Sequence, residues 1–188
     1  MSVKFPSRPA LIVVDVQNGL FLSHQLLQVH NAHYTYDRIQ TPALRSVGKF
    51  PTVEPRHWEH SFYHTGFQAA SLPVIHISHD SLEESSPLCK LCPEGYATMP
   101  EAAPVGNEVV FVKHINSGFI GTGLEAHLRA TKIDTLVILG LTTSHCVSTT
   151  TRMAGNFGFT VCLPRDATVM FERPAAPGNS RSKRLDDA

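Results

Sequence analysis

Residues 134–163, DTLVILGLTTSHCVSTTTRMAGNFGFTVCL, carry the pattern that decides the fold. Two short apolar runs rich in β-branched residues, Asp134–Leu139 and Phe159–Leu163, predict buried strands. Between these runs, four residues at helical spacing predict one inward-facing stripe of a helix: Val147, Thr151, Ala154 and Phe157. A strand, a helix and a second strand in this order predict a parallel pair joined by a helical crossover.

The same pattern extends towards the amino terminus. Three further apolar runs predict strands: Ala10–Val16, Leu72–Ser78 and Glu108–Lys113. Thr122 and Glu125 have capping-box spacing and predict the start of a helix before the fourth strand. The last crossover helix is predicted to begin at Thr143 or Ser144 and to stop at Gly158. Alternating strands and helices indicate an α/β protein with helices on both faces of a parallel sheet.

Composition narrows the class of protein. The chain has 188 residues, 42% hydrophobic and 17% charged, which fits one globular domain. Sixteen basic residues balance sixteen acidic ones, so we expect neither a nucleic-acid partner nor a membrane surface as partner. No apolar run approaches the roughly 18 residues of a membrane span. The first residues, MSVKFPSRP, lack the apolar core of a signal peptide, so we expect a cytoplasmic protein with reduced cysteines.

Three reactive side chains lie at or just beyond the carboxyl ends of predicted strands. Asp15 follows the first apolar run, Lys113 closes the third, and Cys146 follows the fourth after a short loop. Because parallel strands end at one edge of a sheet, where such sheets bind ligands, we expect these residues to converge. The helix dipole and Lys113 are expected to lower the pKa of the Cys146 thiol. Together they suggest a nucleophile with its base and its electrostatic support.

Three motifs carry a family resemblance: ALIVVDVQNG at 10–19, KHINSGFIGTGL at 113–124 and GLTTSHCVSTTTRMAGNFGF at 140–159. They resemble the isochorismatase-like cysteine hydrolases. The likeness covers residues 8–30, 72–88 and 104–169. It implies a three-layer α/β/α sandwich with a mostly parallel, Rossmann-like sheet.

The resemblance also implies an Asp–Lys–Cys triad and its chemistry. Asp15 would be the general base, Lys113 would support the thiolate, and Cys146 would be the nucleophile. A cis peptide is implied between Leu141 and Thr142, with the backbone N–H groups of Thr142 and Cys146 as an oxyanion hole. The implied reaction cleaves a C–N bond of a small carboxamide or ureido compound through a thioester. The family's vinyl-ether hydrolases lack the cysteine, so Cys146 favours the amidase branch.

Polar and aromatic side chains of the matched motifs are expected to line the substrate pocket: Asn18, Ser117, Phe119, Thr143 and His145. His114 flanks Lys113 as His145 flanks Cys146, so it too could face the pocket. His76 and His79 alternate with isoleucines in the second strand and are predicted to be edge or core side chains.

The chain departs from the family pattern in two places. We expect a domain over residues 1–171 with an atypical segment at 31–66. A crossover helix between the first and second strands is only weakly indicated, at Asn18–His30 or Glu59–Ala70. Residues 172–188 are polar and predicted to be disordered in place of the family's final helix. An altered gene model would give the same pattern. The family forms dimers and larger assemblies, so the resemblance allows a homo-oligomer and leaves the oligomeric state open.

Signals for a metal or a cofactor are weak. Cys89 and Cys92 have zinc-ligand spacing without a matching second pair. The segment HWEHSF at 57–62 faintly resembles the metal-binding segment of nicotinamidases, without its leading aspartate. Gly118, Gly121 and Gly123 form the pattern G-x-x-G-x-G, the reverse of the G-x-G-x-x-G pattern of dinucleotide-binding loops. They predict a turn into the next helix. The sequence therefore predicts neither a metal nor a cofactor.

Two hypotheses about function remain open at this point. One is a cysteine hydrolase acting on a small amide; the other is a catalytically silent relative that serves as a binding or assembly module. The ordered Asp, Lys and Cys favour the first, although each alone could be a turn aspartate, a solvated lysine or a small buried side chain. The unusual tail favours the second. An oxidoreductase is disfavoured because the first strand leads into DVQNG, not a glycine-rich phosphate loop.

Overall fold

The computed structural model describes residues 8–22 and 60–169. Four of the expectations lie outside these residues. They concern most of the 31–66 segment, the first candidate helix beyond residue 22, most of the 57–62 motif and the tail 172–188. Among the described helices, none combines the length and hydropathy needed to span a bilayer.

A parallel sheet organises the described part of the chain. Its strands are β1 (Pro9–Val14), β2 (Val74–His79), β3 (Val109–Lys113), β4 (Thr135–Leu141), β5 (Thr160–Cys162) and β6 (Thr168–Val169). The order across the sheet is β3-β2-β1-β4-β5, with β6 pairing the end of β4. All five predicted strands are confirmed. The order steps outward in both directions from β1, which places the ends of β1 and β4 beside each other at the centre of the sheet.

Helices connect the strands and cover both faces. They are α1 (Gly19–Leu22), α2 (His60–Ala69), α3 (Pro93–Tyr96), α4 (Leu124–Ala130) and α5 (Ser148–Asn156). The weakly indicated helix near 59–70 is therefore confirmed as α2. The helix begins where the capping-box spacing predicted, but Gly123 is the capping residue. The Thr122 hydroxyl donates to the carbonyl of Gly118 at 2.6 Å and accepts the N–H of Leu124, the first residue of α4, at 3.3 Å. The hydroxyl thus joins the preceding turn to the start of the helix.

The core consists of two apolar clusters separated by the sheet. Alternate side chains of β1 point to opposite faces, as the pleat requires. Ile12 and Val14 pack with Leu128 of α4 in one cluster, and Leu11 and Val13 belong to the other. The second cluster includes the aromatic rings of α2, Tyr63 and Phe67. Helices on both faces of one sheet confirm the three-layer α/β/α architecture.

Gly140 allows β4 to lie close to β1 at the edge where the chemistry is expected. Its φ is +127°, a value that side chains rarely adopt, and an added Cβ would press on the carbonyl oxygen of Val14. Val14 precedes Asp15 directly. The close approach of these two backbones therefore requires glycine.

Replacing Gly140 by alanine is expected to lower the free energy of unfolding by at least about 2–3 kcal/mol, through backbone strain and displacement of Val14. Gly155→Ala is the matched control, since its added Cβ would meet no atom within 4 Å in helix α5. That change should be neutral or stabilising by up to about 1 kcal/mol. Urea unfolding of both variants measures the difference; equal stabilities would contradict the close approach.

A mostly buried carboxylate ties α2 to the amino-terminal side of the sheet. The side chain of Glu108, 11% exposed, lies within hydrogen-bond distance of Gln68 Nε2 and of the Nε2 atoms of His64 and His76, each at 2.8 Å. The backbone N–H of Val105 donates to it at 3.0 Å. Burial by itself would raise the pKa of Glu108, but these four hydrogen bonds lower it to about 2.

The lowered pKa of Glu108 makes the stability of the fold depend on pH in the acid range. A carboxyl whose pKa is lower in the folded than in the unfolded protein stabilises the fold above its unfolded value of about 4.5, and this stabilisation is lost as pH falls towards about 2. Glu108→Gln is expected to cost roughly 2 kcal/mol at neutral pH, because charge-assisted hydrogen bonds are weakened. The difference from wild type should shrink across that acid window.

Denaturant unfolding from neutral to acid pH measures this difference. Glu101→Gln, at an exposed glutamate, is the control and should match wild type throughout. If the difference in free energy of unfolding between Glu108→Gln and wild type stayed constant down to acid pH, the lowered pKa of Glu108 would be contradicted.

Candidate active site

The three predicted reactive residues converge at the carboxyl edge of the sheet. Asp15 follows β1 in a left-handed conformation, φ +51°, which aspartate tolerates better than most residues. Its N–H donates to the carbonyl of Ile77 in β2 at 2.8 Å. The carboxylate is 1% exposed and pairs through Oδ2 with Lys113 Nζ at 2.7 Å. The turn thus directs the carboxylate towards Lys113 at the carboxyl end of β3.

The ammonium of Lys113 is the centre of the site. Lys113 is the last residue of β3 and is 1% exposed. Besides Asp15, Nζ contacts His79 Nδ1 at 3.0 Å and Cys146 Sγ at 3.3 Å. An ammonium has three N–H donors, and each has an acceptor here. The charge therefore has one favourable position, between a carboxylate and a thiol.

Cys146 reaches the site from the loop after β4. The peptide between Leu141 and Thr142 is cis, as the family resemblance implied. A single π-helical turn follows at Thr143–Val147, and α5 begins after it. Cys146 is therefore in the turn that leads into the helix, not in the first turn of the helix as predicted. The turn directs its half-buried thiol at the ammonium.

The electrostatics correct one expectation. The sequence predicted a lowered thiol pKa for Cys146, whereas burial and the charge of Asp15 raise it to about 12 against the opposing effect of Lys113. Burial likewise raises the pKa of Asp15, although Lys113 and hydrogen bonds oppose this. The free site therefore holds an uncharged thiol beside a carboxylate whose affinity for a proton is increased.

The predicted pocket residues fall into two groups. Thr143 and His145 lie in the turn that carries Cys146, and the His145 ring is hydrogen-bonded through Nδ1 to the Thr142 hydroxyl at 2.9 Å. The Asn18 side chain donates to the carbonyl of Glu94 at 3.2 Å and so holds the loop that approaches the site.

Ser117 and Phe119 are buried and committed elsewhere. The Ser117 hydroxyl contacts Met153 Sδ at 2.9 Å, and the Phe119 ring packs against Phe157 and Phe159. These contacts give both side chains packing roles, and we do not include them in the proposed pocket. His114, the further histidine considered, is held by the carbonyl of Asp80 at 2.7 Å.

Three side chains near the site were not singled out from the sequence. His79 was predicted to be an edge or core residue, yet its ring contacts the ammonium of Lys113. Gln17, 1% exposed, accepts the N–H of His79 at 2.8 Å and donates to the carbonyls of His79 and Tyr96. Asn116 is exposed, with Oδ1 3.9 Å from Cys146 Sγ. Gln17 and Asn116 lie within the motifs that carry the family resemblance, two residues after Asp15 and three after Lys113, and this closeness is the signal that could have suggested them.

Two groups of described side chains bring three potential metal ligands within 4.8 Å of one another. One is Asp15, His79 and Cys146, and the other is His64, His76 and Glu108. In the first group the ammonium of Lys113 contacts all three residues, so a positive charge already fills the space between them. In the second group, the carboxylate is already satisfied by N–H donors. Cys89 and Cys92 belong to neither group.

Comparisons with known proteins place the chain in a family. The isochorismatase domain family matches residues 63–176. The uncharacterized isochorismatase family protein YrdC of Bacillus subtilis (strain 168) is 50% identical over 98 residues, which are 52% of this chain and 52% of that protein. The chain thus spans about half the length of this relative.

Two further proteins are similar over more of the chain. The crystal structure of an isochorismatase-family protein from Chromobacterium violaceum ATCC 12472 has a TM-score of 0.72 and 34% sequence identity, covering 96% of this chain and 81% of that one. The ureidoacrylate amidohydrolase RutB of Cronobacter sakazakii (strain ATCC BAA-894) is 28% identical over 165 residues, with 78% of this chain and 68% of that protein covered. The family match extends over more than half of the sequence, and so this chain belongs to the isochorismatase family.

Proposed function

We propose that this protein is a cysteine hydrolase that cleaves a C–N bond in a small carboxamide or ureido compound. The observation that carries the proposal is the position of the Lys113 ammonium, 2.7 Å from Asp15 Oδ2 and 3.3 Å from Cys146 Sγ. A carboxylate, a cation and a thiol in contact in a buried site form an activated nucleophile. A small amide is the proposed partner.

Asp15 is the proposed general base. Its burial raises its pKa, and one of its carboxylate oxygens lies within 4.8 Å of Cys146 Sγ, so a proton can pass from sulfur to carboxylate as sulfur attacks the substrate carbonyl. Lys113 stabilises the negative charge on sulfur during this step. The thiol does not need to be ionised beforehand. This agrees with the raised thiol pKa in the free site.

The proposed reaction then proceeds by acyl transfer. The attack forms a C–S bond, and the carbonyl oxygen takes the negative charge, which the backbone N–H groups of Thr142 and Cys146 are proposed to bind. The oxyanion collapses, the C–N bond breaks, and Asp15 returns its proton to the departing nitrogen. Water attacks the thioester and gives a proton to Asp15. The acid is released as Cys146 recovers its proton.

The substrate class is supported by two independent observations. RutB, which is similar over most of this chain, is named as an amidohydrolase of a ureido compound. In the present structure, the nucleophile is flanked by the amide of Asn116 and by the turn that bears Thr143 and His145. These groups can exchange hydrogen bonds with a carboxamide or a ureido group. We propose Thr143, His145, Asn18 and Asn116 as substrate-facing positions.

Iodoacetamide alkylation against pH, with the labelled cysteine identified by mass spectrometry, tests the electrostatics. Cys146 in the wild type should label with an apparent pKa well above the ordinary value of about 8.5. Asp15→Asn removes a negative charge and should lower this pKa, whereas Lys113→Met removes a positive charge and should raise it. Shifts in the same direction in both variants would contradict the arrangement. Cys89, Cys92 and Cys162 serve as internal references.

Turnover tests the reaction itself. We expect ammonia or amine release from at least one compound in a panel of primary carboxamides and N-carbamoyl acids. Cys146→Ser should lower kcat/KM by about 10³-fold or more, and Asp15→Asn by a comparable factor. Cys92→Ser, in a loop beyond the site, is the control and should retain activity.

Quenched-flow mass spectrometry checks the proposed covalent step. It should detect the acyl mass on the peptide that contains Cys146. Turnover that survives Cys146→Ser would exclude the thioester route. A reactive Cys146 without hydrolysis across the panel would favour the binding-module alternative.

A further inference from the structure

We propose that His79 is a positioning residue that fixes the Lys113 ammonium against the sulfur of Cys146. The inference deepens the proposed function and concerns the same site. It goes beyond the Asp–Lys–Cys triad by assigning a fourth side chain to it.

The number of donors on the ammonium limits the positions that it can take. Lys113 Nζ has three protons and three neighbours: Asp15 Oδ2 at 2.7 Å, His79 Nδ1 at 3.0 Å and Cys146 Sγ at 3.3 Å. Of these contacts, the one to sulfur is the longest and thiols are the weakest acceptors. Without His79, one proton would lack its acceptor in a buried position. The ammonium would then have several orientations of similar energy, and only some of them would direct a proton at sulfur.

The hydrogen bond from Lys113 fixes the protonation state of the ring. An ammonium can only donate, so His79 Nδ1 must be an unprotonated acceptor. A neutral ring whose Nδ1 is an acceptor carries its proton on Nε2, so the contact with the ammonium sets the tautomer of His79.

Charges around the ring keep it neutral at ordinary pH. Burial, the ammonium of Lys113 and the neighbouring His114 together lower the pKa of His79 to about 4, while Asp80 and the backbone of Ile115 oppose this. A neutral imidazole does not repel the ammonium that it faces. The acceptor is thus available throughout the pH range in which the proposed hydrolysis would operate.

The backbone of His79 is held as firmly as its ring. Its N–H donates to Gln17 Oε1 at 2.8 Å, and its carbonyl accepts from Gln17 Nε2 at 3.1 Å. Gln17 lies two residues beyond Asp15, and its N–H donates to the carbonyl of Asp15 at 2.8 Å. The position of the imidazole is therefore coupled to the same turn that carries the proposed general base. This geometry lets His79 set the position of Lys113 relative to both Asp15 and Cys146.

The test compares two replacements at His79. His79→Leu removes the acceptor, whereas His79→Asn leaves an amide oxygen near the position of Nδ1. At about pH 9, alkylation of Cys146 by iodoacetamide should slow by about tenfold in His79→Leu, with the rate profile moved to higher pH, and stay within about threefold of wild type in His79→Asn. His127→Leu is the control. It replaces a histidine of α4 that packs on Phe111 of β3, and Cys146 in this variant should label as in wild type.

A double-mutant cycle with Lys113→Met shows whether His79 acts through the ammonium. In the Lys113→Met background, His79→Leu should cause no further change in the labelling rate of Cys146. A further loss in that background would overturn the proposal, as would wild-type labelling in His79→Leu. Thermal unfolding of each variant separates these outcomes from loss of the fold.

Alkylation needs no substrate, so the outcome is independent of the proposed reaction. If the cycle behaves as expected while no amide is hydrolysed, the positioning role stands and the hydrolase proposal fails. If amides are hydrolysed while His79→Leu labels normally, the positioning role fails alone.

Discussion

The ion pair between Lys113 and Asp15 is the interaction on which the arrangement of the site depends. Both side chains are almost completely buried, and burying a single unpaired charge would cost several kcal/mol. The pair is stable only because the ends of β1 and β3 bring the two groups to 2.7 Å and because His79 and Cys146 take the remaining ammonium protons. The positions of β2 and of the loop after β4 are therefore as important as the pair itself.

This balance of charge determines the state of the thiol. A lysine beside a cysteine normally favours the thiolate, but here the neighbouring carboxylate and the burial of sulfur outweigh it. The site holds one positive and one negative charge, and the proposed attack would move the negative charge from Asp15 to sulfur and then to the substrate oxygen. A net charge that stays constant during these steps avoids a second desolvation cost in the same buried space.

The carboxylate of Glu108 has a separate role near the opposite edge of the sheet. It binds donors from α2, β2 and the loop before β3, and so ties the second helical layer to the strands. Lys113, at the carboxyl end of β3, carries the proposed chemistry, while Glu108, just before the amino end of the same strand, carries stability. Strand β3 thus joins the two functions while keeping them about five residues apart.

The sequence by itself determined the parallel sheet, its five main strands and the convergence of Asp15, Lys113 and Cys146. Apolar runs show where strands end, and the topology of a parallel sheet places these ends at one edge. Tertiary structure alone decided that His79 contacts Lys113 and that Gln17 clamps His79. It also decided the direction of the thiol pKa and the burial of Phe119 in the core. Each of these depends on distances and burial between segments far apart in the chain. Spacing along a sequence contains no information about desolvation, so it cannot show which of two opposing electrostatic effects is larger.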